Sequence, residues 1–169
     1  MPGSPTESEG WRAHPVAVAR ADYLWFAGLA LRDMTRIVAD LGDELANRRP
    51  PFPGANSPYA ILTHCLGVME YWGGATIADR PIERDRAAEF TASGPVAPLL
   101  ARAEKARERL AEDLAGLDAW DTPRNVHRDP ADPVPYSETK GAVLLHVLEE
   151  LFQHLGQMEI TRDSLMGQQ

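Results

Sequence analysis

Residues 146–159 read HVLEELFQHLGQME. The spacing of apolar residues through this stretch and its flanks fits one amphipathic helix, and such a helix should bury an unbroken apolar stripe. Here the stripe is interrupted. His146, Glu150 and His154 recur every four residues, in one column beside Val143, Val147, Leu151 and Met158. Two imidazoles and a carboxylate on a core-facing stripe raise the question of what they bind.

Length and composition set the frame for an answer. A chain of 169 residues with 44% apolar content matches one globular domain with a real core. No apolar run approaches the roughly 20 residues that span a bilayer, so no membrane segment is expected. A net charge of −8 argues against nucleic acid and anionic membrane as partners. The opening MPGSPTESEGW lacks the charged start and apolar centre of a secretory signal, and residues 1–15 read as a loosely packed tail. The single cysteine, Cys65, suits a reducing compartment, which makes the cytoplasm the expected location. Small molecules or other proteins are the expected partners.

The remainder, residues 16–165, reads as an all-α, four-helix bundle. Helix 1 is expected over Val16–Asn47, ended by RRPPFPGAN. Ser57 and Pro58 mark the start of helix 2, which should run to Ala78 with Gly73 and Gly74 weakening its last turns. Helix 3 is expected over Pro95–Leu117, its wet face carrying KARERLAED. Helix 4 should start near Ser137 or Thr139 and end near Asp163. The links Asp79–Gly94 and Asp118–Tyr136 exceed the usual two to eight residues of bundle connections. Extended at roughly 3.3 Å per residue, either can run the length of a helix, so a crossover between helices 2 and 3 is open. Surplus apolar and aromatic positions on helix 1 allow a homodimer.

Geometry narrows the polar column. Residues four apart on a helix lie about 6 Å apart along its axis and can share an ion, whereas His146 and His154 are about 12 Å apart and cannot. The candidate pairs are His146 with Glu150, or Glu150 with His154. A third ligand is available in His64 on helix 2. If helices 2 and 4 are antiparallel neighbours, Glu150 and His154 are nearest to it in level, about 5 to 11 Å off by helix rise alone.

LTHCLGVMEYW at residues 62–72, DRPIERDRAAEFTASG at 79–94 and LLHVLEELFQHLGQMEITRD at 144–163 together resemble a DinB-like metal-binding four-helix bundle. The resemblance covers residues 17–163 and is to the branch of mycothiol-dependent transferases and the metal domain of mycothiol-dependent maleylpyruvate isomerase. It implies His64, Glu150 and His154 as metal ligands and a long crossover between helices 2 and 3. Many DinB-like proteins have histidine where this chain has Glu150; the glutamate points to the transferase-like branch.

Two neutral imidazoles and one carboxylate leave a divalent ion with an open position, the catalytic pattern for zinc, although nickel or iron also accept such ligands. A thiol entering that position loses its proton, and water entering it becomes a hydroxide donor. Taken with the resemblance, which implies the transferase branch, the expected function is a metal-dependent thiol transferase that joins a low-molecular-weight thiol such as mycothiol to a small-molecule electrophile. A metal-dependent hydrolase and a non-catalytic metal-binding bundle are the alternatives. His146, one turn before Glu150, is the candidate acid or base. Arg84, Asp85, Arg86 and Glu89 either hold an anionic cofactor, with Arg84 and Arg86 as its contacts, or cap and solvate the crossover. Cys65, about 100° around the helix from His64, reads as packing. Tyr71 and Trp72 read as packing too, and His127 as loop surface.

Overall fold

Pro58 at the first turn of the second helix has no N–H to leave unpaired, and Ser57 before it accepts a bond from Ala60 N at 3.2 Å. Thr139 caps the last helix in the same way, accepting from Ala142 N at 3.1 Å. The computed structural model describes residues 17–124 and 138–167. The proposed tail, Ser137 and His127 lie outside them. Among the described residues the elements are α1 (Arg20–Ala46), α2 (Pro58–Val68), a π-helical continuation of α2 (Met69–Ile77), α3 (Arg86–Glu89), α4 (Val96–Asp113) and α5 (Lys140–Met166). None of their helices is long and apolar enough to cross a membrane.

Side-chain pairs give the direction of each helix. His64 meets His154 with ring centroids 4.8 Å apart, and Trp72 meets His146 at 5.2 Å, so α2 and α5 are antiparallel. Glu70 pairs with Arg102 at 2.6 Å and Arg80 with Asp113 at 2.7 Å, so the later residues of the second helix match the later residues of α4. Those two helices are parallel, and residues 79–94 are the crossover that makes them so. The end of α1 meets the start of α4: Asp43 accepts from Val96 N at 2.8 Å, and the Asn47 amide bonds both N and O of Gly94.

All four long helices feed one core, with Met34 and Val38 from α1, Leu62 and Leu66 from α2, Ala103 and Leu110 from α4, and Val147, Leu151 and Met158 from α5. Each large apolar side chain buried there contributes about 1.5–3 kcal/mol, against about 0–1 kcal/mol for an exposed ion pair. Apolar burial therefore holds the bundle together, and the ion pairs set its register. The surplus aromatics of α1, Trp25 and Phe26, stay exposed at 62% and 46%.

The helices differ from the sequence expectation in several places. Helix 1 starts at Arg20 and is kinked at Gly42, whose φ of 64° and ψ of −177° break an otherwise continuous helix. Helix 2 does not stay α-helical to Ala78 but widens from Met69, where Ala78 N bonds Gly73 O five residues back. Gly73 and Gly74 permit this by letting neighbours close in: a Cβ on Gly74 would overlap the side chains of Arg80 and Ile82. Helix 3 ends at Asp113, four residues early, ahead of a turn in which Gly116 takes a φ of 72°. The crossover contains the short helix α3, started by Asp85 accepting from Ala88 N at 3.0 Å.

Gly42 gives a direct test of the kink. A Cβ there would touch nothing, so the cost of Gly42→Ala is conformational alone. Such a backbone region is nearly closed to other residues and costs on the order of 1–3 kcal/mol. The urea midpoint of Gly42→Ala should fall accordingly with an unchanged m-value; an unchanged midpoint would contradict the kink.

Candidate metal centre

The antiparallel packing of α2 and α5 carries His64 to the level of Glu150 and His154, whose four-residue spacing sets them one above the other. His64 Nε2 lies 3.1 Å from Glu150 Oε2, and His154 Nε2 lies 3.3 Å from the same oxygen. One donor atom from each of the three residues falls within 4.8 Å of the others. Ligands at 2.0–2.2 Å around a tetrahedral ion are separated by about 3.3–3.6 Å. The separations through Glu150 are close to that edge length and the donor set spans no more than 4.8 Å, so the three residues could hold a metal ion once the two histidines draw together.

Both imidazoles are also gripped from behind. His64 Nδ1 is 2.8 Å from Glu89 Oε2, and His154 Nδ1 is 2.8 Å from Gln157 Oε1. When each Nδ1–H donates outward, each Nε2 faces the shared centre, where it donates to Glu150 without metal and would offer a lone pair to an ion on losing its hydrogen, the arrangement that metal-ligating histidines require. Phe90 stacks on the His64 ring at 4.5 Å and fixes its plane.

The electrostatics follow from the same contacts. Bonds from His154 and then His64 hold the Glu150 carboxyl far below the usual carboxylate range, against the opposing effect of burial. In return the Glu150 carboxylate raises the His154 imidazole above its ordinary value. Two donors thus already point at a carboxylate that is ionised throughout the physiological range.

A sequence model of the DinB superfamily matches residues 29–158. The chain belongs to the DinB superfamily. No curated protein matches it significantly. In this DinB-superfamily bundle the matched span includes the His64, Glu150 and His154 group and the whole crossover.

The other candidate residues take varied places. His146 lies at the rim, its Nε2 3.9 Å from Glu150 Oε1 and its Nδ1 3.3 Å from Glu149. Trp72 meets the His146 ring edge-on, and Tyr71 packs against Trp72 at 5.2 Å. Arg84 is turned inward, with Nε and Nη2 donating to the two oxygens of Glu89 at 2.7 and 2.8 Å. Arg86 is exposed, with its guanidinium 5.2 Å above the Phe90 ring, and its charge acts to lower the His154 proton affinity. Cys65 is wholly buried, and burial pushes its thiol well above the ordinary value, so it stays protonated.

Glu89 is the residue that departs most from the sequence expectation. Read there with the exposed charges of the crossover, it is only 7% exposed and sits against His64. Gly67 makes room for it: a Cβ there would overlap Glu89 Oε1. That glycine, three residues after His64 on the same helical face, was the available signal, because a lone helical glycine often marks a close approach.

Alanine at His64 or His154 should abolish stoichiometric metal binding, measured by elemental analysis of untagged protein, whereas His146→Ala should retain it. Metal must also displace the proton that Glu150 holds on His154. With that imidazole raised above its ordinary 6.5, apparent metal affinity should begin to fall with decreasing pH above the range of an unperturbed histidine. A competition titration against a chelator between pH 6 and 8 would show this, and a flat profile would contradict it.

Proposed function

We propose that the protein is a metal-dependent thiol transferase, joining a low-molecular-weight, mycothiol-like thiol to an electrophilic small molecule in the cytoplasm. The observation that carries this reading is the convergence of three donors whose imidazoles are oriented from behind. Three protein ligands with room for a fourth are the mark of a catalytic centre, whereas a structural zinc is closed by four. A bound divalent ion, zinc first by ligand type, supplies a Lewis acid that lowers the pKa of an entering thiol.

The chain's own residues divide the remaining work. His64, Glu150 and His154 contribute a single negative charge, which leaves the centre net positive and attractive to an anionic sulfur. His146 Nε2, beside the second oxygen of Glu150, is placed to take up or return a proton. Trp72 forms an apolar wall next to it. Arg86, exposed above Phe90, is assigned to an anionic part of the thiol, and Arg84 is committed to Glu89 instead.

The placement of His146 favours a second reading as well, a metal-dependent hydrolase, because an acid or base beside the open side of Glu150 serves activation of water equally. One experiment separates the two. Adding a thiol to zinc-loaded protein near pH 7 should release about one proton per site, because sulfur taken up there is deprotonated. Conjugation of a thiol-reactive electrophile should then require both metal and thiol. Arg86→Ala should raise KM for mycothiol several-fold with unchanged metal content. Uptake of no thiol, together with hydrolysis of esters or amides by metal-loaded protein alone, would select the hydrolase.

A further inference from the structure

Within the proposed metal centre, and resting on that reading, the two histidines are oriented by unlike means. His154 is held by Gln157, a neutral amide one turn along the same helix. His64 is held by Glu89, which arrives from the crossover, 25 residues further along the chain. We infer that Glu89, fixed by Arg84 and admitted by Gly67, is the positioning residue that makes His64 a metal ligand, by keeping the imidazole proton on Nδ1.

The inference follows from what each atom can do. An ionised carboxylate only accepts hydrogen bonds, so at 2.8 Å it selects the His64 tautomer that carries hydrogen on Nδ1. With that hydrogen held on Nδ1, Nε2, which is 3.1 Å from Glu150 and donates to it without metal, is the nitrogen left to give up its hydrogen to an ion. Glu89 is itself held on two sides. Arg84 bonds both of its oxygens in a bidentate fork, and Glu89 packs so closely on Gly67 that a Cβ there would overlap Oε1. The Arg84 charge also cancels that of Glu89, so the pair directs a proton while adding almost nothing to the net charge of the centre. Arg84 lies 5.8 Å above the Tyr71 ring, which ties its guanidinium back to the second helix. The crossover is thereby part of the metal centre without supplying a ligand.

The test is zinc affinity by chelator competition, with the His64 tautomer read from long-range proton–nitrogen NMR. Glu89→Leu should weaken zinc binding about 10–100-fold and move hydrogen off Nδ1 in the metal-free protein. Glu89→Gln keeps an acceptor and should recover part of the loss. Gly67→Ala leaves every ligand and charge in place yet displaces Glu89, so it should weaken zinc in the same direction. Gly73→Ala, whose Cβ would press on Leu110 away from Glu89, controls for packing damage. It should lower thermal stability while leaving zinc affinity within about two-fold of wild type, well short of the range typical for such outer partners. Zinc affinity in Gly67→Ala and Glu89→Gln equal to wild type, or no hydrogen on Nδ1 in the wild-type protein, would overturn the inference and leave the proposed function standing. A wild-type protein that takes up no zinc would overturn both.

Discussion

A buried imidazole needs a partner for each ring nitrogen, because an unpaired polar atom away from water costs about 1–3 kcal/mol. His64, at 1% exposure, meets that demand with two carboxylates on opposite sides. One comes from α3 in the crossover and the other from α5. A single side chain on α2 thus joins its own helix to two other parts of the chain, and their arrangement is constrained by its two bonds. Gly67 opens the helix surface for Glu89, Phe90 covers the ring, and the four-residue spacing on α5 sets His154 beneath Glu150.

The crossover reaches His64 because α2 and α4 are parallel. Residues 79–94 must return along the bundle before α4 begins, and the route is pinned at both ends. Arg80 is clamped to Asp113 where the π-helical segment gives out, and the Asn47 amide holds Gly94 where α4 starts. Between these pins the chain passes over α2 and lowers Glu89 onto Gly67. These two pins, one ion pair and one amide, fix the ends of the crossover, and the position of Glu89 depends on the path between them.

Much of this was legible in the sequence. The column on α5 showed itself because polar residues broke an apolar stripe at an interval that only a helix brings together. The crossover was left open by length and implied by the family resemblance. Helix rise brought His64 only to within about 5 to 11 Å of the level of Glu150 and His154, on the condition of antiparallel packing, and the family resemblance implied the three together. The position of Glu89 was not legible, because it depends on how an irregular segment folds back across a helix, and no local periodicity encodes that. The kink at Gly42 and the widened turns after Val68 were equally opaque: a glycine permits such geometry without requiring it, and tertiary contacts decide. Arg84 shows the same limit from the other side, for its charge was evident and its inward pairing with Glu89 was not.

The separation of His64 from Glu150 along the chain also bears on how the fold is closed. The two are 86 residues apart, and bringing together the ends of a loop that long costs about 4 kcal/mol of chain entropy before any contact repays it. An ion shared between α2 and α5 ties that loop in the folded state as a covalent staple would, in a chain whose lone cysteine allows no internal disulfide. Its cross-linking would span most of the matched family region, fastening the first half of the bundle to the second. The centre would then belong to the topology of the protein as much as to its chemistry.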